Sequence, residues 1–129
     1  ALFPDHTPPH LIAAFWEQYF GDWEGLAYSD LPNLGLMSGQ ELARFTPPNG
    51  ESFLDLCARI QPAFISLLKN VEAQQTAVFA HAGVIRAVLA LVFDSPEAAL
   101  KCEIDPLSIT HLRVLPDNQF SLVCINQGG

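Results

Sequence analysis

A chain of 129 residues with fourteen acidic against six basic side chains carries a formal charge of −8, which argues against broad binding to nucleic acid or an anionic membrane. The length suits one compact domain, and 50% hydrophobic residues with 16% charged imply extensive burial or a surface meant for a partner. The longest apolar run, Ala87 to Phe93, is too short for a bilayer span, and the N-terminus lacks a signal-peptide pattern. Cys57, Cys102 and Cys124 are odd in number and lack Cys-x-x-Cys spacing, so they indicate neither a disulfide framework nor a zinc site. The expectation is a soluble protein of the reducing cytoplasm.

Residues 1–10, "ALFPDHTPPH", contain three prolines and no periodicity and are predicted to form an extended arm. In "WEQYFGDWEG", Glu17 lies among Trp16, Tyr19, Phe20 and Trp23. A glutamate in such a segment is most simply solvated, but apolar surroundings would favour its protonated form, as a general acid requires. Residues 26–50 are loop-rich, and "SGQE" at Ser38 to Glu41 offers a capping box for a short helix ending before Pro47 and Pro48. This stretch reads as a cover over a site.

After "PPNGES", Phe53, Leu56, Cys57, Ile60, Phe64, Leu67, Leu68 and Val71 recur at three- and four-residue steps, the stripe of an amphipathic helix. Pro62 predicts a kink or a short break within it. Glu51 and Ser52 suit the start and cap of this helix, and Arg59, on its polar side, suits a solvated or ion-paired role.

"TAVFA", Thr76 to Ala80, reads as a short buried parallel strand ending at His81. Gly83 supplies a turn, and "VIRAVLALVF" follows as a helix apolar nearly all round, giving a strand, turn and helix unit of the kind that binds ligands at the strand's C-terminal end. A lone histidine there is more often structural than catalytic. Beside a helix N-terminus, however, it makes a pocket for a phosphoryl group from His81 and the backbone N–H groups of Ala82 and Gly83. Arg86, in an otherwise apolar helix, is either a structural, ion-paired arginine or a direct phosphate contact, with the first slightly favoured. A further helix starts near Ser95 or Pro96 and covers "EAALKCE". "SITHLRVL" and "FSLVCIN" pair as a hairpin across "PDNQ". His6, His10 and His111 read as surface or loop residues.

Taken in order, "EQYFGDWEG", "PPNGES" and "VFAHAGVIRA" resemble the histidine phosphatase, or phosphoglycerate mutase-like, superfamily, and most of all its α-ribazole phosphatase branch. The resemblance runs from about Leu11 to the end and includes the "SIT…IN" hairpin. It implies an α/β fold, a three-layer α/β/α sandwich around a mostly parallel sheet, with Glu17 as acid/base and His81 as the second, phosphoryl-contacting histidine. Ala82 replaces the commoner glycine. The family's opening strand ends in Arg-His-Gly, whose histidine is the nucleophile; this sequence has no Arg-His-Gly and no arginine before Arg44. The chain therefore resembles a single, partial domain over residues 1–129 that lacks the family's N-terminal strands.

The implied activity is metal-free and cofactor-free removal of phosphate from a small metabolite, such as α-ribazole 5′-phosphate, through a phosphohistidine whose nucleophile lies outside this sequence. The alternative is a non-catalytic anion-binding or dimerisation module built from the same fold. The expected partners are a small phosphorylated metabolite or inorganic phosphate. A missing N-terminal segment or a second copy of the chain would cover the exposed sheet edges.

Overall fold

The computed structural model describes residues 8–35, 37–71 and 75–128. Most of the predicted arm, with His6, lies outside these residues; Pro8, Pro9, His10 and Leu11 are exposed and carry no regular structure. Single 3₁₀ turns at Ala13–Phe15, Gly21–Trp23 and Tyr28–Asp30 lead to helices α1 (Gly39–Arg44), α2 (Phe53–Asn70), α3 (Ala82–Phe93) and α4 (Pro96–Leu100). Strands β1 (Ser108–Leu115) and β2 (Gln119–Gly128) complete the order.

α1, α2 and α4 each begin where a side-chain acceptor meets an orphan backbone N–H. Ser38 caps α1, with its Oγ 3.2 Å from the Glu41 N–H nitrogen, and Glu41 returns a 3.0 Å bond to the Ser38 N–H. Ser52 and Asp55 form the same reciprocal pair at α2, at 3.0 and 2.9 Å, and Ser95 Oγ accepts from the Ala98 N–H at 3.1 Å to start α4. Such caps satisfy donors that the helix itself cannot. α4 ends at Leu100, short of the predicted stretch through Glu103.

The core lies where α2 meets α3. Phe53, Leu56, Cys57, Ile60 and Phe64 of α2 are buried together with Val84, Ala87, Leu89 and Ala90 of α3, joined by Ala43 of α1 and Ala99 of α4. The three- and four-residue spacing of these positions produces one apolar stripe per helix. Contrary to the break considered from sequence, α2 runs as one helix through Pro62. Pro62 and Ala58 are exposed, so the Ala58 carbonyl that the proline leaves without its helical donor is within reach of water, while packing on the opposite face holds the two halves together.

The hairpin pairs as predicted. β1 and β2 are antiparallel, with Leu115 opposite Gln119 and Leu112 opposite Leu122, and the turn at Pro116–Asn118 places Asp117 and Asn118 at positive φ, 61° and 56°, which Asp and Asn tolerate better than most residues. Leu112, Leu122 and Ile125 pack against the helical core, and the Phe120 ring lies 6.0 Å from that of Phe64.

Two sequence expectations need correction. Thr76 to Ala80 carries no strand, and residues 75–79 are exposed. The sheet among the described residues is the antiparallel β1–β2 pair, so a mostly parallel sheet is not seen there. An apolar, β-branched run states only that a segment can enter a sheet; the ladder also needs neighbouring strands, and β1 and β2 use each other. The second correction concerns Gly83, which is not a turn residue: α3 begins at Ala82 with His81 as its N-cap, and Gly83 sits inside the first helical turn.

Candidate active site

Glu17 and His81 line the same open cleft, about 690 Å³ in volume, with Trp16, Gln18, Tyr19, Phe20, Glu24, Glu51 and Arg59 around them. His81 is exposed and in extended backbone at the N-cap of α3, and its carbonyl accepts from the Ile85 N–H at 3.2 Å. Its imidazole makes no capping bond to the helix. The ring is thereby held at the positive end of a twelve-residue helix, next to N–H groups that the helix does not use internally.

Glu17 reaches that helix end directly. Its Oε2 accepts from the Gly83 N–H at 3.1 Å, and its Oε1 accepts from the Gln18 N–H at 2.8 Å. A Cβ at residue 83 would stand 3.0 Å from the Glu17 carboxyl carbon and closer still to Oε1, so glycine is needed here for close approach and not for an unusual backbone angle.

The aromatic shell expected around Glu17 is not closed. Trp16 is 73% exposed, Tyr19 55% and Phe20 38%, whereas Trp23 turns away to stack on Phe45 with ring centroids 5.3 Å apart. Backbone N–H groups, not apolar enclosure, set the carboxyl's environment. The bend after Phe20 depends on Gly21, whose φ is +57° and whose missing Cβ leaves room for the Pro48 carbonyl; that carbonyl accepts from the Asp22 N–H at 2.8 Å.

Ala82 is in the first turn of α3 beside Gly83, whose N–H, expected from sequence to face a phosphoryl group, is taken by Glu17 Oε2. Arg86 stands apart from the cleft lining: its Nε donates to the Cys102 carbonyl at 2.8 Å and so ties α3 to the end of α4. This is the structural role weighed from sequence. No described residue between 26 and 50 lines the cleft. α1 in that stretch packs instead against α4 and α2, with Ala43 buried. Among the described residues no three His, Cys, Asp or Glu side chains cluster as a metal site would require, and no helix is long and apolar enough to cross a membrane.

The residues that sequence reasoning undervalued are Glu51 and Arg59. Arg59 Nη2 lies 2.7 Å from Glu51 Oε1 and Nε lies 3.2 Å from Oε2, a two-pronged pair. Burial pushes the Glu51 carboxyl up, but the Arg59 hydrogen bond, the Tyr19 N–H and the Arg59 charge outweigh it and hold the group below its ordinary range. Helical spacing gives no signal for this pair, because Glu51 precedes the Ser52 cap and lies outside α2.

A sequence profile of the histidine phosphatase superfamily (branch 1) matches residues 2–128. The chain belongs to this superfamily. It is similar in structure to an α-ribazole phosphatase from Shigella flexneri, with a TM-score of 0.78 and 21% identity over 99% of this chain and 66% of that one. A mycobacterial glucosyl-3-phosphoglycerate phosphatase superposes with a TM-score of 0.81 and 24% identity, covering 95% of this chain and 65% of that one. Among curated relatives, a bifunctional protein of Mycobacterium tuberculosis is 29% identical over 118 residues, 88% of this chain and 32% of the relative. The chain thus spans about a third of that relative's length and just under two thirds of the solved structures. The likeness establishes the phosphoglycerate mutase-like fold within the α/β class.

Proposed function

We propose that this chain forms the acid and phosphate-binding part of a histidine phosphatase that removes phosphate from a small metabolite. The observation that carries the reading is the meeting of Glu17 and His81, distant in sequence, in one cleft at the N-terminus of α3. His81, together with the backbone N–H of Ala82, receives the phosphoryl oxygens, the Gly83 N–H being taken by Glu17, and a helix N-terminus favours that negative charge. Arg86 takes no direct part and steadies α3 through its bond to the Cys102 carbonyl.

In the first step a histidine nitrogen attacks phosphorus, the ester P–O bond breaks, and the leaving oxygen takes a proton from Glu17. In the second, water gives its proton back to the Glu17 carboxylate and attacks phosphorus, the P–N bond breaks and phosphate leaves. Each Glu17 oxygen accepts one N–H bond and keeps a lone pair for that proton. The nucleophilic histidine comes from polypeptide outside these 129 residues. This is supported by the absence of Arg-His-Gly in the sequence and by the further third of the solved relatives. Such polypeptide, or a second copy, also covers the exposed run at 75–79. The three free thiols suit a cytoplasmic setting.

For the substrate, the cleft brings the Glu24 carboxylate together with Glu17, the Glu51 carboxylate being paired with Arg59, and carries Trp16, Tyr19 and Phe20 as exposed rings. This lining suits a leaving group with a flat or apolar face and no second anionic charge. It favours an α-ribazole 5′-phosphate type of substrate over a carboxylate-bearing phosphoglycerate.

The test is rapid quenching of the protein, as its gene encodes it, with phosphoryl-labelled substrate. An acid-labile, base-stable label on histidine is expected, and His81→Ala abolishes phosphate binding. Well-folded protein that binds phosphate but never becomes labelled or turns substrate over would contradict the enzyme reading and favour a non-catalytic anion-binding module.

A further inference from the structure

We infer that Arg59, paired with Glu51, is the positioning residue for Glu17; the inference rests on the acid role proposed above. Residues 14–19 run from the 3₁₀ turn at Ala13–Phe15 toward the one at Gly21–Trp23, where no long helix or strand supplies partners for the backbone. A single guanidinium supplies several. Arg59 Nη1 donates to the Ala14 carbonyl at 2.6 Å and to the Trp16 carbonyl at 2.9 Å, and Nη2 donates to the Glu17 carbonyl at 3.3 Å.

Glu51 holds the C-terminal end of the same segment. Its Oε1 accepts from the Tyr19 N–H at 2.9 Å, its carbonyl accepts from Gln18 Nε2 at 2.9 Å, and its own N–H donates to the Tyr19 carbonyl at 2.7 Å. The strap carrying Glu17 is therefore laced to α2 and the residue before its cap through the carbonyls of Ala14, Trp16, Glu17 and Tyr19 and the Tyr19 N–H. Only from that fixed backbone does the Glu17 side chain span to Gly83 on α3.

Counting donors separates positioning from phosphate binding. Arginine has five N–H donors, and the three bonds to carbonyls and two to Glu51 engage all five. Although Arg59 lines the cleft, it has no donor left for a phosphoryl oxygen, and Glu51 balances its charge. With side chains only 29% and 21% exposed, the pair is better shielded from solvent than a fully exposed ion pair. Lysine keeps the charge but not the planar fork that reaches three carbonyls and a carboxylate at once.

The experiment compares wild type, Arg59→Lys, Glu51→Gln and Glu17→Ala as ¹⁵N-labelled proteins, using the chain as its gene encodes it. Glu17→Ala calibrates the Gly83 amide resonance without its carboxylate acceptor. The Gly83 amide in Arg59→Lys is expected to move toward that position while the β1–β2 resonances stay in place, and Glu51→Gln, which keeps the side chain's shape, is expected to move it in the same direction. In turnover, Arg59→Lys is expected to lose about tenfold or more in kcat on an alkyl phosphate but less than about threefold on p-nitrophenyl phosphate, with KM nearly unchanged.

A Gly83 amide at its wild-type position in both variants, when Glu17→Ala moves it, would overturn the inference. Equal loss on both substrates with a moved Gly83 amide would leave the positioning intact and remove the acid role. A wild type with no turnover at all would sink the phosphatase reading, and the amide shift alone would then decide the role of Arg59.

Discussion

The Glu17 carboxylate rests on the first turn of α3, with its Oε2 3.1 Å from the Gly83 nitrogen. This contact ties the acid to the helix that His81 caps, and it depends on residue 83 having no side chain. Gly83→Ala improves helix propensity by about 1 kcal/mol in isolation, yet its methyl group would occupy the space of the carboxyl. The variant should therefore fold with near wild-type thermal stability while losing about tenfold or more in turnover of alkyl phosphates. Thermal unfolding and steady-state kinetics on the same preparation check both halves.

The lacing of the strap should depend on pH in one direction. The Glu51 carboxyl is held below its ordinary value of 4.5 in the folded chain. A depressed folded value means the unfolded state binds the proton more readily, so the contribution is fully present above about pH 4.5 and fades as pH falls through the folded value. Asp55, lowered by the Ser52 N–H and hydroxyl, acts in the same sense at the cap of α2. Amide exchange at Tyr19, read from pH 6 down to pH 3 and corrected for intrinsic rates, should lose protection on the acid side only. Protection that stays flat across this range would contradict the Glu51 assignment.

Cys57 lies in the α2 core, 5% exposed, and burial pushes its thiol up to about 11. Thiolate is the reactive form, so at pH 8 Cys57 should be the slowest of the three thiols toward a disulfide reagent. Cys102 and Cys124 are only partly buried and should react first. Peptide mapping after timed labelling measures the order, and early modification of Cys57 in folded protein would show that the α2–α3 core opens readily.

The helices were legible because each states its boundaries locally: Ser38 with Glu41, the apolar spacing from Phe53 to Phe64, and Ser95 before Pro96 all act within a few residues. The hairpin was legible for the same reason. The failed strand at Thr76 to Ala80 shows the limit, since pairing is decided by neighbours in space. Glu17 and His81 were recognised through ordered motifs, but the contact between Glu17 and Gly83 was not. Arg59 was read as solvated or ion-paired because its polar position on α2 reveals the Glu51 partner only in part and the carbonyls of Ala14, Trp16 and Glu17 not at all. A side chain that bonds to backbone far away leaves no periodic trace.

The central claim is that Glu17 gives a proton to the leaving group, and Glu17→Gln tests it most directly. The measurement is kcat for wild type and variant on p-nitrophenyl phosphate and on an unactivated alkyl phosphate, with the protein as its gene encodes it. Removing a general acid should cost about 10²- to 10⁴-fold where the leaving oxygen needs the proton and far less where it does not. Wild-type phosphate affinity, a loss of that size on the alkyl substrate and a small loss on the aryl one are the expected results. An equal loss on both substrates would contradict the account.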